Sequence, residues 1–399
     1  MIRKALIGSH AIAMAVKLAN VEVISAYPIT PQTIIVEKIA DMIERGELKA
    51  EYIRVESEHS ALAVVYGASA GGSRVFTATS SHGLLYMYEM LWWVANSRLP
   101  VVMAVVTRSI GPPWNIHTDH QDVLSVRDSG WIIGFAENVQ EVLDMTLQAY
   151  KISEDRRVLL PSIIALDGFI LSHTSEPVVI PEPSEVNEWL PPRKPLPFKV
   201  EAGKFFAVGN LGPDDVTMEL RWYIWRAMER AKYTINEVSL DYAKRFNTGS
   251  PAGLLETYRT TDAKYIAISM GSWSGDIKEA IDILRDEGYS VGLIRLRYIR
   301  PFPLEELRDI VSSAKALIVF DRAVSMGHQG ILGMEVVSAT NSKIPVKNII
   351  AGLGGVDVSH HDFSNIIRGF IEEYESGLSI EWSIPEWYMP WMIKESEER

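Results

Sequence analysis

The sequence predicts an α/β protein built from two parallel-sheet units, and three observations carry this. From the N-terminus to about residue 175, short apolar runs alternate with stretches of helical periodicity, the pattern of a parallel sheet wrapped by helices. Composition then shifts over 176–200 to a proline-rich stretch, which reads as an extended segment crossing a surface. The alternation resumes near Asp262. The expected organisation is a first unit 1–175, a connecting region 176–261, a second unit 262–377 and a tail 378–399. No fragment of a longer repeat recurs, which argues against a solenoid.

Taken in order, strands are expected over 21–26, 52–55, 75–78, 101–106 and 159–165, where aliphatic residues run together. Helices are expected over 10–18, 33–45, 58–69, 83–97 and 139–154, and the N-terminus leads straight into the first of them. In the connecting region, Leu220, Tyr223, Ile224, Ala227 and Ala231 recur at helical spacing behind an acidic start, Asp214-Asp215. This predicts a helix over 214–244, suited either to packing domains or subunits together or to an ordinary core. The second unit offers strands over 265–270, 290–296, 316–320 and 347–350, a helix over 276–287, and glycine-rich turns at 327–333 and 352–355. The aromatic and proline-rich stretch 382–391 suits a tail that lies on a partner.

Composition narrows the function. The net charge of -12 comes without a long basic run, which argues against nucleic acid or an anionic membrane as partner. No signal peptide or membrane span is legible, so a cytoplasmic location is expected. The absence of cysteine excludes disulfides, thiolate zinc sites and cysteine-ligated iron–sulfur clusters in this chain. Any redox metal then belongs to another subunit. Eleven tryptophans and fifteen tyrosines suit subunit interfaces.

Three strand ends carry candidate chemistry. In Ser25-Ala-Tyr-Pro-Ile-Thr-Pro-Gln-Thr33, Pro28 and Pro31 bracket Thr30 between a strand and a helix. Proline fixes φ and biases the preceding residue towards extended backbone, so the corner is stiff and presents a hydroxyl. Glu58 follows the strand 52–55 at a helix start, where a carboxylate is favoured. Arg108 follows the strand 101–106 and can take a carboxylate through paired charge-assisted hydrogen bonds. A stiff turn, a helix-start acid and a surface ion pair are the structural alternatives. Ligands of open parallel sheets bind beyond the carboxyl ends of the strands, so a hydroxyl, an acid and a base at three such ends imply a site for a small anion.

Other motifs are weaker. Gly271-Ser-Trp-Ser-Gly275 suggests a phosphate-binding turn but lacks the full glycine spacing. His117-Thr-Asp-His-Gln-Asp122 reads as a hydrogen-bonded loop before a metal or substrate-facing one. Ser80-Ser81-His82-Gly83 follows a strand without the spacing of a nucleophile elbow, leaving a hydrolase as a minor reading.

Together, Tyr27-Pro-Ile-Thr-Pro31, Val55-Glu-Ser-Glu-His-Ser60, Ala78-Thr-Ser-Ser-His-Gly83, Asp119-His-Gln-Asp122, Arg127-Asp-Ser-Gly-Trp131, Asp167-Gly-Phe-Ile-Leu-Ser-His173 and Val291-Gly-Leu-Ile-Arg-Leu-Arg-Tyr-Ile-Arg-Pro-Phe-Pro303 resemble the alpha subunit of archaeal-type pyruvate:ferredoxin oxidoreductases. The resemblance spans nearly the whole chain. It implies a first domain like the pyrimidine-binding domain of thiamine diphosphate enzymes and a second like the C-terminal domain of transketolase. It also implies a beta subunit that holds the diphosphate and its magnesium, gamma and delta subunits or their equivalents with iron–sulfur clusters, and ferredoxin as acceptor. No Gly-Asp-Gly followed by Asn for magnesium diphosphate occurs here.

By the resemblance, Glu58 is the glutamate that hydrogen-bonds N1′ of the aminopyrimidine, favouring the tautomer that removes the thiazolium C2 proton, and Pro28 belongs to the cofactor site. An apolar subunit interface would raise the pKa of Glu58 in the useful direction. Thr30 and Arg108 match the residues that bind the substrate carboxylate. The implied reaction decarboxylates a 2-oxoacid, passes electrons singly to clusters elsewhere and transfers the acyl group to coenzyme A. Pyruvate is the expected substrate. Gly111-Pro-Pro-Trp114 leans towards 2-oxoisovalerate, and a non-catalytic scaffold subunit is the alternative of another class.

Overall fold

In the computed structural model, which describes residues 2–196, 200–205, 208–248, 250–377, 382 and 384–391, the apolar runs of the first half lie side by side. Across the sheet the strands are Tyr298–Arg300, Ile132–Phe135, Ser162–Asp167, Val102–Thr107, Val75–Thr79, Val23–Ser25 and Glu51–Ile53. All neighbours run parallel except the first pair. Every residue of Val102–Thr107 and Ser162–Asp167 is buried, which is why these strands read as continuous apolar runs instead of alternating ones. Each strand expected in this half is present. Ile132–Phe135 escaped notice because a four-residue run carries little periodicity of its own.

Helices Gly8–Leu18, Thr33–Glu44, Glu58–Ala70 and Val139–Ser153 match expectation to within a few residues. The single helix expected over 83–97 is two, Ser81–Tyr86 and Tyr88–Asn96, joined at Met87. The N-terminus departs from the sequence reading. Ile2–Ile7 is a strand, paired antiparallel with Ser175–Ile180, a pairing across about 170 residues that local periodicity cannot reveal. The proline-rich stretch therefore opens with a strand, and it continues into a short helix, Pro183–Trp189. Proline is tolerated there because the first helical N–H has no partner to lose.

The helix expected over 214–244 runs Asp214–Phe246. Its second half buries Ala231, Ile235, Val238 and Tyr242. There it packs on Val139–Ser153, with the Tyr242 hydroxyl on Asp144 at 2.7 Å and Ser239 on Gln148 at 3.1 Å. Met218, Trp222 and Trp225 of its first half are exposed. Asn236 donates to Glu306, so the helix also touches the second sheet's side of the molecule.

The second sheet runs Glu386–Trp387, Val346–Ile350, Ala316–Asp321, Tyr265–Met270, Val291–Leu296 and Leu255–Tyr258, parallel except at Leu255–Tyr258. Leu255–Tyr258 joins this sheet although it precedes residue 262. Glycine-rich 327–333 runs directly into helix Ile331–Ala339, and His360–Glu375 starts with a capping box on Ser359 and Asp362. The tail, expected to lie on a partner, adds an edge strand to the chain's own sheet, and Tyr388 donates to Asp362 at 2.5 Å. The remainder of the tail, 378–381, 383 and 392–399, falls outside the described residues.

The two sheets share one apolar core, in which Leu91, Met103, Ile133 and Phe135 meet Ile268, Ile294, Ile299 and Leu332. Among the described residues no helix is long and apolar enough to cross a membrane.

Candidate active site

Four adjacent parallel strands end at one edge of the first sheet. Val23–Ser25 leads to Thr30, Glu51–Ile53 to Glu58, Val75–Thr79 to His82 and Gly83, and Val102–Thr107 to Arg108. Parallel pairing puts their carboxyl ends on the same side, so the sequence-predicted residues meet there.

Glu58 stands in the first turn of Glu58–Ala70, behind Ser57, whose hydroxyl accepts the Ser60 N–H at 3.2 Å. It is only 8% exposed. Among the described residues no donor reaches its carboxylate. Gly83 makes the room: a Cβ there would come within 2.7 Å of Glu58 Oε1 and 2.5 Å of Thr79 Oγ1. Among the described residues the Thr79 hydroxyl, buried, has no hydrogen-bond partner, so the recess holds an unpaired polar atom beside a near-buried acid.

Arg108 is 4% exposed. Nη1 donates to the Thr30 carbonyl at 2.6 Å, Nη2 lies 3.2 Å from His82 Nδ1, and the guanidinium stacks 4.6 Å from the centre of the Trp114 ring. Burial lowers its pKa, and Asp122 and Glu58 oppose that shift. Nε is buried without a partner among the described residues. Thr30 and Arg108 are thus joined through the Thr30 main chain, not through its hydroxyl. The Thr30 side chain and Pro28 are exposed at the corner.

His82 and Trp114 are the participants that the sequence reading missed. His82 faces Arg108 through one ring nitrogen and Gly111 through the other, and Trp114 meets its ring edge-on at 5.2 Å. A buried arginine with an adjacent strand-end histidine is a signal that only the strand order makes visible.

The weaker motifs resolve. The Ser81 hydroxyl donates to the Ser109 carbonyl at 2.6 Å, and His82 faces Arg108, so no serine–histidine nucleophile pair forms. The turn at Gly271–Gly275, only weakly like a phosphate-binding one in sequence, already has an anion. Asp167, from the first sheet, accepts the Ser272 N–H at 3.1 Å and its hydroxyl at 2.5 Å. Burial pushes the Asp167 pKa up, but Arg322 and His120 more than reverse it, and the carboxyl stays far below its usual range. The 117–122 segment is a hydrogen-bonded loop as far as His120, where helix Gln121–Ser125 begins, with His120 on Asp167 at 2.8 Å and Asp119 on the Gly354 N–H at 2.9 Å. Among the described residues no group of acids and histidines could hold a metal.

Residues 14–239 match the family described as pyruvate flavodoxin/ferredoxin oxidoreductase, thiamine diphosphate-binding, and residues 263–363 match the pyruvate:ferredoxin oxidoreductase core domain II. The chain belongs to the pyruvate:ferredoxin oxidoreductase family. It is 47% identical to pyruvate synthase subunit PorA of Methanocaldococcus jannaschii, covering 92% of this chain and 94% of that one. It is 46% identical to ketoisovalerate oxidoreductase subunit VorA of Pyrococcus horikoshii, covering 96% and 98%. Among solved structures, a 2-oxoglutarate:ferredoxin oxidoreductase from Magnetococcus marinus shares the fold at TM-score 0.69 and 20% identity, over 92% of this chain and 65% of its own. A split-gene transketolase shares it at TM-score 0.53 and 12% identity, over 92% and 98%. The family thus accounts for both sheets: a thiamine diphosphate-binding first half and a transketolase-like architecture.

Proposed function

We propose that this chain, a subunit of a 2-oxoacid:ferredoxin oxidoreductase, forms one wall of the reaction centre. In this reading Glu58 holds N1′ of thiamine diphosphate, Pro28 shapes the cofactor wall, and Arg108 with Thr30 receives the substrate carboxylate. The diphosphate with its magnesium belongs to a beta subunit, the iron–sulfur clusters to further subunits, and the complex works in the cytoplasm with ferredoxin and coenzyme A.

The observation that carries the reading is the meeting of Glu58 and Arg108 at strand ends of one sheet edge. The recess also fits the cofactor's ring. Glu58 is nearly buried yet without a donor among the described residues, and Gly83 leaves open the space against it that any side chain would fill. A carboxylate so placed can exchange a proton with a ring nitrogen, the kind of step that a positioned acid–base group accelerates by about 10²–10⁴-fold. When bound, thiamine diphosphate supplies the nucleophilic carbon and the electron sink for decarboxylation. Arg108, fixed by the Thr30 carbonyl and His82 and covered by Trp114, meets a carboxylate with little reorganisation.

Pyruvate is the favoured substrate. The second reading, 2-oxoisovalerate, is favoured by Gly111-Pro-Pro-Trp114, whose tryptophan lies directly on Arg108. Such substrates differ by only about 1–3 kcal/mol per methylene in an apolar pocket, so turnover of pyruvate, 2-oxoisovalerate and 2-oxoglutarate by the purified complex separates them. Glu58→Gln in that complex is expected to lower acyl-CoA formation at least about 10²-fold with subunit association intact. Near-normal turnover would overturn the role of Glu58 and favour a scaffold subunit.

A further inference from the structure

We propose that Asp122 is a positioning residue of this site, one of whose carboxylate oxygens ties together the two strand-end segments that carry Arg108 and His82–Gly83. The proposal rests on the reading of Arg108 as the carboxylate-binding residue. Asp122 is fully buried. Its Oδ2 accepts the N–H of Ser81 at 3.0 Å and of Arg108 at 3.1 Å, while Oδ1 accepts the Val123 N–H at 2.7 Å and fixes the carboxylate plane.

The location of these bonds gives them their importance. Strands Val75–Thr79 and Val102–Thr107 are paired only as far as Thr79 and Val105. Beyond that pair the ladder no longer sets their separation, yet Arg108 must reach His82 and Gly83 must face Glu58. Asp122 takes over from the ladder, and the Ser81 hydroxyl on the Ser109 carbonyl at 2.6 Å adds a second tie. Ser81 has φ +44°, a left-handed conformation that a non-glycine residue holds only when its surroundings impose it. Both ties to Ser81 supply that constraint. Asp122 thus sets where the cation for the substrate lies relative to the acid for the cofactor, and a shift there is felt first in the binding of the 2-oxoacid.

The test is steady-state kinetics of the assembled complex. Asp122→Asn keeps the shape, but its amide must turn NH₂ either towards Val123 N–H or towards Ser81 and Arg108 N–H. The expected result is a rise of about tenfold in KM for the 2-oxoacid, with kcat within about threefold and KM for coenzyme A unchanged. An unchanged KM for the 2-oxoacid overturns the proposal, as does a loss shared equally by kcat and both KM values. If Asp122→Asn fails to assemble while Arg108→Ala assembles, Asp122 holds the fold and not the site, and the proposal is overturned. Arg108→Ala is measured alongside. No KM change there defeats the carboxylate reading and the Asp122 role with it, whereas a rise there without one in Asp122→Asn defeats the positioning role alone.

Discussion

At the residue scale, Glu58 owes its surroundings to what Gly83 lacks. A Cβ at Gly83 would overlap Thr79 Oγ1, Glu58 Oε1 and Glu58 Cγ, and the end of the Glu58 side chain is the part able to move. Gly83→Ala is therefore expected to displace that carboxylate and lower turnover of the complex by at least about tenfold. Wild-type turnover would show that the recess need not be open. Thr30, Glu58 and Arg108 were legible because each stands within a few residues of the end of a strand-like run, and a strand end can be read locally. His82, Trp114 and Asp122 were not, since what matters about them is which neighbour they touch. Nothing in Ser-Ser-His-Gly says that its histidine will meet an arginine 26 residues on.

At the element scale, the joint between helices Val139–Ser153 and Asp214–Phe246 encloses Asp144, which accepts from Tyr242 and Gln140 and, among the described residues, leaves Oδ2 unpaired. Burial pushes its pKa up to about 7 from 3.8. A carboxyl whose folded pKa is raised holds its proton in the folded state while the unfolded chain loses it, so stability falls as pH rises between those two values. Burial likewise raises Asp321 to about 6, and it adds to the same trend. Asp144→Asn is expected to make the fall in Tm between pH 4 and pH 7 shallower. Thermal unfolding across that range checks it, and an unchanged slope would show that Asp144 ionises freely in the fold. The helices themselves were plain from their 3.6-residue periodicity. Their joint was not, because its polar contacts pair residues about 90 or more positions apart.

At the scale of the whole molecule, a buried ion cluster locks the two sheets together. Glu141, in the first turn of Val139–Ser153, accepts from Arg295 at 2.6 and 3.0 Å and from Arg297 at 2.7 Å, both arginines belonging to the second half. Burial raises the Glu141 pKa, but the two guanidinium groups more than reverse that and hold it well below the usual carboxylate range. Its contribution is present above the unfolded value of 4.5 and is lost only as pH falls below it. Glu141→Ala leaves Arg297 buried without a carboxylate, and the expected loss of stability is about 3–5 kcal/mol by denaturant unfolding at neutral pH. A loss under about 1 kcal/mol would mean that the carbonyls of Ala252 and Gly253 satisfy Arg297 alone. The sequence by itself determined the α/β class, most strands and helices, and the three strand-end residues, since periodicity and the apolar runs of buried parallel strands are local properties. Only the tertiary structure decided that Ile2–Ile7 is a strand, that the tail adds a strand to the chain's own sheet, that Asp167 fills the glycine-flanked turn at Gly271–Gly275, and that Arg108 meets Thr30 through its carbonyl. Each of those depends on a partner brought from far along the chain, and such pairing is fixed by packing, not by the residues on either side.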